Sequence, residues 1–250
     1  MFTRLLVGLD GSPRADVALE QAVVLGRRFH STIVVAHVRE RGRATGDAKL
    51  LERALERLAA AELAAEVAEG TGEPDLELAA LAREADAVLI GRRGITTTGD
   101  ALGGTAAAMV RGAQVCVILC GATPSHMRRI AVAFDGLETS KRALELAVRF
   151  ASIVETTVHV VHASDDVHEG VQVVGQAEAT LSLHQVAFQT HVEPGEPGEA
   201  LAIVVKRLNC DALFAGAHVV RGAPLRPSPV EVSHAEQILR RTDIPVVIQP

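Results

Sequence analysis

One stretch of the chain combines the residue types that bind phosphate. An apolar run at residues 88–90 leads into residues 91–104, which are rich in glycine, threonine and arginine, and then into a predicted helix. Glycine lets backbone N–H groups approach an anion closely, and the first turn of a helix directs further N–H groups toward it. Arg92 and Arg93 add cationic donors. The stretch predicts a phosphate site, although glycine-rich loops also occur in ordinary strand-to-helix connections.

Length and composition restrict the class of protein. The chain has 250 residues, enough to bury a core in one large domain or two small ones. Aromatic residues make up only 2% and the formal net charge is −6, which argues against a nucleic-acid-binding surface. There is no run of about 18 apolar residues, and the N-terminus enters a predicted strand directly. We therefore expect a cytoplasmic protein that binds neither nucleic acid nor membrane.

Apolar runs of strand length alternate with helical patterns through the first half. Strands are predicted at residues 5–9, 32–38, 62–69, 87–90 and 115–119. Helices are predicted at residues 14–28, 48–58, 75–85 and 104–111. Strands separated by helices form parallel β-α-β units with right-handed crossovers, so the first half is predicted to be an α/β domain.

The second half repeats the first at an offset of 125 residues. Three pairs at equivalent places share this offset (135 − 10, 162 − 37 and 216 − 91): Asp10 and Asp135, His37 and His162, and Gly91 and Gly216. The Gly-Glu-Pro turn at residues 72–74 recurs at 195–197. A period of this length is too long for a solenoid. It predicts two α/β domains, 1–121 and 127–250, that pair as an intramolecular pseudo-dimer.

The order of these motifs resembles a tandem universal stress protein. That family has an Asp-Gly-Ser after the first strand, a His-Val in the second, a Gly-Glu-Pro turn, and a fourth strand leading into Gly-x2-Gly-x9-Gly-Ser/Thr. The last motif is matched at its spacing by Gly91, Gly94, Gly104 and Thr105. The resemblance implies two repeats of an adenine nucleotide alpha hydrolase-like fold. Each would be an open five-stranded parallel sheet, order 3-2-1-4-5, with helices on both faces.

The resemblance also implies a ligand and the residues that hold it. ATP or AMP, with or without Mg²⁺, would bind at the carboxyl ends of the strands, where open α/β sheets generally bind ligands. Asp10 would face the adenosine moiety, and Val38 would line the adenine pocket. The phosphates and ribose would be surrounded by Gly91, Arg92, Arg93 and Gly94 and capped at the helix start by Gly103, Gly104 and Thr105.

The start of the predicted helix at residues 104–111 permits two alignments with the family motif. In one, the hydroxyl of Thr105 takes the Ser/Thr position. In the other, which counts back from residues 109–111, the Gly-Ser/Thr pair falls on Gly103 and Gly104, and their backbone N–H groups act without a hydroxyl. Both alignments retain an anion site.

The second half departs from the motif. Val219 and Val232 stand where its second and third glycines belong, and residues 221–229 contain three prolines, which lack the N–H donors that phosphate needs. Leu137 also replaces the Ser12 of the first half. We therefore expect nucleotide binding in the N-terminal domain only, with the second domain as a structural or partner-binding half.

The implied role is regulation in a stress response rather than catalysis, and no catalytic residue is predicted. Nucleotide would order residues 94–104 and so change the surface that an unidentified protein partner or a second chain contacts, with monomer and homodimer both open. One alternative is a slow ATPase or phosphotransferase in which Arg92 or Arg93 stabilises charge and Asp100 holds Mg²⁺. Another is a ligand-free interaction scaffold.

The histidines and cysteines predict no metal site. His159 and His162 are three apart on a predicted strand and so face opposite sides, and His191 has no evident partner. Three cysteines form neither a disulfide framework nor a zinc pattern. Cys116 and Cys120 would lie about 13 Å apart on one strand, too far to bridge, so we expect them and Cys210 in the core.

Overall fold

The structure is a computed structural model that divides into two compact units. It describes residues 1–39, 47–94, 102–112, 114–217, 239 and 241–250. Among these residues, the first unit runs from Met1 to Pro124 and the second begins at Ser125. Each unit is an α/β domain in its own right, which confirms the predicted fold class.

The first unit alternates strands and helices throughout. Its elements are β1 (Arg4–Gly8), α1 (Pro13–Phe29), β2 (Thr32–Arg39), α2 (Asp47–Ala59), β3 (Ala65–Thr71), α3 (Pro74–Leu81), β4 (Ala87–Gly91), α4 (Gly104–Gly112) and β5 (Cys116–Cys120). A short 3₁₀ helix, Ala82–Glu84, follows α3. The strands pair in parallel in the order β3-β2-β1-β4-β5, as predicted.

The second unit has the same architecture. Its described elements are β6 (Arg129–Ala133), α5 (Glu138–Val154), β7 (Thr157–Ala163), α6 (Val167–Leu183), β8 (Phe188–Glu193), α7 (Pro197–Arg207), β9 (Ala212–Gly216) and β10 (Val246–Gln249). The strands are again parallel, in the equivalent order β8-β7-β6-β9-β10. The duplication predicted from the sequence is therefore a duplication of the fold.

The core of the first unit is its central strands, which are buried on both faces. Leu5, Val7 and Leu89 are completely buried, as expected for parallel strands covered by helices on both sides. The cysteines are free and buried, which confirms their predicted place in the core. Burial raises the pKa of the Cys116 thiol to about 12, so this thiol is protonated and unreactive at neutral pH.

The repeat extends to the ends of the helices. His30 caps the C-terminus of α1 and Glu155 caps that of α5, both with a left-handed backbone (φ 53° and 54°). Each closes its helix by donating its N–H to the carbonyl four residues earlier, Gly26 and Ala151 respectively. The two positions are again 125 residues apart (155 − 30). Both units therefore end this helix by the same backbone turn.

Asp86 anchors the start of β1 to the start of β4. Its Oδ2 accepts from the backbone N–H groups of Thr3 (2.6 Å) and Arg4 (3.0 Å) and from the Thr3 hydroxyl (2.8 Å). Asp211 makes the equivalent backbone bonds in the second unit. Burial raises the pKa of Asp86, but the hydrogen bonds from Arg4 and Thr3 outweigh it, and the net pKa lies below the usual value.

We predict that Asp86→Asn lowers the free energy of unfolding by about 1 kcal/mol at pH 7, because charge-assisted bonds at an exposed edge are replaced by weaker neutral ones. A carboxyl with a lowered folded pKa stabilises the fold above its unfolded value of roughly 3.9, and this contribution is lost as pH falls through the folded pKa. The difference between wild type and variant should therefore shrink in acid. Urea unfolding at pH 7 and pH 3 tests this, and an equal difference at both would contradict it.

Candidate functional site

The residues predicted to bind nucleotide lie at the carboxyl edge of the first sheet. Asp10 follows β1, Val38 is next to last in β2, and Gly91 ends β4. Because β1 pairs with both β2 and β4, these three positions meet where the strand order changes direction. That switch point is where open α/β sheets form their ligand crevice.

His37 holds two of these strand ends together. Its Nδ1 lies 2.7 Å from the carbonyl oxygen of Leu9, and the N–H of Leu9 donates to Ala36 O (2.8 Å). His162 makes the matching contact in the second unit, with Nδ1 2.8 Å from Phe134 O. Both histidines therefore contact a backbone carbonyl at a strand end. In the first unit this contact holds Leu9, and with it the next residue, Asp10, beside the end of β2.

The carboxylate of Asp10 lies against the second glycine of the motif. Its Oδ1 accepts from the N–H of Ser12 (2.9 Å). Its Oδ2 lies 2.8 Å from the position that a Cβ would take at Gly94, closer than real Cβ contacts come. Asp10 is exposed, so the carboxylate faces outward as well. A side chain at position 94 would therefore displace the carboxylate.

Gly91 is required by the packing of β4 against α1. A Cβ at this position would lie 2.9 Å from the carbonyl carbon and Cβ of Arg14. The side chain of Arg14 then extends across the ends of β4 and β5, where its Nη1 donates to Gly121 O (3.3 Å). Arg14 is thus a neighbour of Gly91 that sequence reasoning missed, since only the folded chain brings the start of α1 to Gly91.

The two ends of the glycine-rich motif meet directly. The N–H of Gly103 donates to Arg92 O (2.8 Å), and Gly103 O accepts from the N–H of Ala107 (2.8 Å), so α4 begins at Gly104. Gly104 is exposed, and a Cβ there would meet nothing within 4 Å. The N–H of Gly103 is therefore hydrogen-bonded within the motif. Gly104 is the first residue whose N–H belongs to the first turn of α4.

The two adjacent arginines differ in their surroundings. Arg92 is buried, and its positive charge lowers the pKa of the Cys120 thiol, although burial dominates and raises that pKa to about 12. The Arg92 guanidinium therefore lies near β5. Arg93 is only half-buried. Asp100, named in the ATPase alternative, lies outside the residues that the structure describes.

The side of the crevice next to Val38 includes a carboxylate that the sequence did not indicate. Val38 lies beside Gly70, where a Cβ would be 3.4 Å from Val38 Cγ2 and 3.1 Å from Glu77 Cβ. The Glu77 Oε1 lies 3.3 Å from the Cβ position of Gly72, in the Gly-Glu-Pro turn. Glu77 therefore lines the edge of the crevice next to Val38.

The equivalent place in the second unit is arranged differently. Asp135 Oδ1 accepts from the N–H of Leu137 (2.9 Å) and from the hydroxyl of Ser140 (2.6 Å), which is itself buried. A Cβ at Gly216 would lie 2.4 Å from the carbonyl carbon of Thr139. The carboxylate of the second unit is thus held by α5. The positions of the second and third motif glycines in this unit, Val219 and Val232, lie outside the described residues.

Fold and site together define an open α/β protein whose ligand crevice lies at a topological switch point. The family model described as the Universal stress protein family matches residues 1–120 and, separately, residues 126–250. The chain therefore belongs to the universal stress protein family, with two family domains in tandem.

Solved structures with the same fold cover nearly the whole chain. A universal stress protein from Archaeoglobus fulgidus DSM 4304 is 19% identical, with a TM-score of 0.83 over 98% of this chain and 95% of that one. A functionally unknown protein from Pseudomonas aeruginosa PAO1 is 15% identical, with a TM-score of 0.72 over 99% of this chain and 92% of that one. A search of curated proteins finds no match. Within the described ranges, no helix is long and apolar enough to cross a membrane.

Proposed function

We propose that the first unit binds an adenine nucleotide, ATP or AMP, and that the chain is a nucleotide-dependent regulatory protein of the cytoplasmic stress response. The observation that carries the proposal is the position of Asp10 Oδ2, 2.8 Å from where a Cβ would stand at Gly94, together with the bond from Gly103 N–H to Arg92 O. Both support the proposal because they bring the described glycines at the two ends of the family motif to the carboxyl edge of the sheet.

Each part of the crevice suits one part of an adenine nucleotide. Asp10 Oδ2 is an acceptor for a ribose hydroxyl or the exocyclic amine, and Val38 offers an apolar surface to the base. The open space at Gly104 and the first turn of α4 suit phosphate, because helix N-termini attract anions. Thr105 can add a hydroxyl, and Arg93 and Arg14 can add charge.

The proposal assigns this function to the first unit only. In the second unit, Ser140 donates to Asp135 Oδ1 and so ties this carboxylate to the first turn of α5. In the first unit, the corresponding position of α1 is Ala15 (140 − 125), which has no hydroxyl, and Ser12 Oγ accepts from its N–H instead (3.2 Å). This difference supports one nucleotide per chain.

Regulation would follow from where the ligand lies. Nucleotide held by both Gly94 and Gly104 would favour one arrangement of the segment between them, and a partner that contacts this segment would distinguish the two states. Mg²⁺ would bind through the phosphates of ATP rather than through a preformed protein cage, which is how this ion usually binds beside nucleotides.

We predict that the purified chain carries or binds one adenine nucleotide, not two. With no Trp and no Tyr, the protein absorbs little in the near ultraviolet, so bound adenine is seen directly in the spectrum. Acid extraction and chromatography give the identity and amount. Two nucleotides per chain would overturn the assignment to the first unit, and none after addition of ATP and Mg²⁺ would overturn the proposal.

A matched pair of variants tests the assignment further. Asp10→Asn should lower nucleotide affinity by about tenfold or more, since one charge-assisted bond contributes roughly 1.5–3 kcal/mol. Asp135→Asn, the same change at the equivalent place in the second unit, should leave the affinity unchanged. Equal effects of the two substitutions would contradict the proposal.

A further inference from the structure

The carboxylate of Glu77 lies over two glycines at the carboxyl edge of the first sheet. Its Oε2 is 3.3 Å from the position that a Cβ would take at Gly70, and its Oε1 is 3.3 Å from the same position at Gly72. Gly70 lies in the last turn of the chain before β3 ends, and Gly72 directly follows that strand. The absence of side chains at both glycines therefore makes room for a carboxylate from α3.

This carboxylate has acceptor capacity that the fold does not use. Glu77 is half-buried, and within the described parts of the chain no hydrogen-bond donor or cationic side chain contacts its carboxylate. Its backbone N–H makes the ordinary helical bond to Glu73 O (3.1 Å). A carboxylate partly removed from water gains free energy when a donor reaches it. Glu77 can therefore accept a hydrogen bond from a ligand without giving up one within the fold.

Glu77 lies over the same face of the sheet as Val38 and Asp10. Val38 pairs with Gly70, whose Cβ position is 3.1 Å from Glu77 Cβ, so this pair of side-chain positions faces α3. On β1, a Cβ at Gly8 would lie 3.3 Å from the leucine that follows Glu77 in α3. Asp10 is two residues beyond Gly8, and side chains alternate along an extended chain, so Asp10 is directed to the same face.

The end of β2 separates the two carboxylates. Asp10 follows β1 and Glu77 covers the end of β3, while Val38 lies on the strand between them. Two strand spacings amount to about 10 Å. This is close to the span of an adenosine from its ribose hydroxyls to the exocyclic amine of its base. Val38 thus offers an apolar surface between two acceptors.

We propose that Glu77 selects adenine as the base of the nucleotide, by accepting a hydrogen bond from the exocyclic amine while the ring lies against Val38. The inference rests on the nucleotide site proposed for the first unit and assigns its base specificity. With Glu77 at the base, Asp10 accepts from a ribose hydroxyl. Hypoxanthine and guanine carry a carbonyl oxygen where adenine carries the amine, and a carboxylate, which has no proton to donate, repels that oxygen.

The second unit lacks this arrangement. Its Gly-Glu-Pro turn lies 123 residues later (195 − 72), and by the same offset Ala200 stands in the place of Glu77 (200 − 77) and Glu193 in the place of Gly70 (193 − 70). Ala163, the register partner of Glu193, takes the place of the valine. Because both units share one fold, these residues of the first unit are not needed for the fold, which supports a role toward the ligand.

The ratio of the dissociation constants for ITP and ATP, measured with nucleotide-free, full-length protein, tests the proposal. The two ligands share ribose and triphosphate and differ only at the amine-bearing edge of the purine, so the ratio reports recognition of the base. Wild type should bind ATP at least about tenfold more tightly, which is within the effect of one charge-assisted hydrogen bond. Glu77→Gln should bring the ratio close to one, because an amide can accept from an amine or donate to a carbonyl.

Asp75→Asn is the matched control, since it removes one negative charge from the same helix, and it should leave the ratio unchanged. Circular dichroism of each variant verifies folding. Equal affinities of wild type for ATP and ITP, or an unchanged ratio in Glu77→Gln, would overturn the role of Glu77 and leave nucleotide binding standing. Failure of wild type to bind either nucleotide would instead overturn the proposed function, and this inference with it.

Discussion

Gly94→Val should abolish detectable nucleotide in the purified protein and lower the affinity for added ATP by about 100-fold. The valine Cβ would lie 2.8 Å from Asp10 Oδ2, so the carboxylate must leave its position, and the two further methyl groups would occupy the crevice. Loss of the Asp10 acceptor removes a charge-assisted bond of roughly 1.5–3 kcal/mol, and the upper end corresponds to the expected loss of affinity. Equilibrium dialysis with labelled ATP gives the affinity.

The fold should survive this substitution. The contact at position 94 is with the end of a side chain and not with backbone, and Gly94 has no left-handed φ that a valine would strain. Gly175→Val is a suitable control, because a Cβ at position 175 in α6 meets nothing within 4 Å. Both variants should melt as folded proteins, and only Gly94→Val should lose nucleotide. Unchanged binding in Gly94→Val would refute the role of the Asp10 contact.

Gly216→Ala should be the most destabilising single methyl addition at a strand end. Its Cβ would lie 2.4 Å from the carbonyl carbon of Thr139, 2.5 Å from its oxygen and 2.8 Å from the N of Ser140. These atoms belong to the backbone of the first turn of α5 and cannot rotate away. We expect a loss of about 3 kcal/mol or more and a fall in Tm of roughly 10 °C.

Gly91→Ala provides the comparison in the first unit. The nearest atoms of Arg14 would be 2.9–3.0 Å away, so a smaller shift relieves the clash and a loss of about 1–2 kcal/mol is expected. Gly175→Ala should leave Tm unchanged or raise it, because alanine favours a helix more than glycine does. Thermal melts followed by circular dichroism rank the three, and a Gly216→Ala protein as stable as wild type would show that α5 can move away from β9.

Most of the fold was predictable because parallel strands buried on both faces produce continuous apolar runs. Residues 5–9 and 87–90 are such runs, and the observed strands begin and end within one residue of them. The third strand was predicted at 62–69 from alternating residues, but β3 begins at Ala65. Glu62 has a left-handed φ of 60°, and the N–H of Leu63 donates to Leu58 O, so these residues close α2 instead.

The candidate site was predictable in its residue types but not in its contacts. Asp10 and Gly94 are 84 residues apart (94 − 10), and only their motif memberships placed them at one site. No short-range sequence pattern indicates that Glu77 lies beside Val38, or that Ser140 donates a hydrogen bond to the Asp135 carboxylate. His159 and His191 were likewise without partners in the sequence, because the hydrogen bond between them (3.3 Å) depends on the register of β7 with β8. Such contacts are set by tertiary packing, which short-range patterns do not encode.

The charged residues of β3 affect whether molecules of the protein aggregate at high concentration. β3 is the outer strand of the first unit's sheet, with β2 as its neighbour among the described residues. Glu66 is held by both terminal nitrogens of Arg4 (2.8 and 2.9 Å), and Glu69 by Arg39 (2.9 Å). A strand from another molecule that paired here would have to desolvate these ion pairs, and charged outer strands are a common protection against aggregation. The charged outer strand of the first unit therefore opposes the growth of extended, fibre-like sheets between molecules.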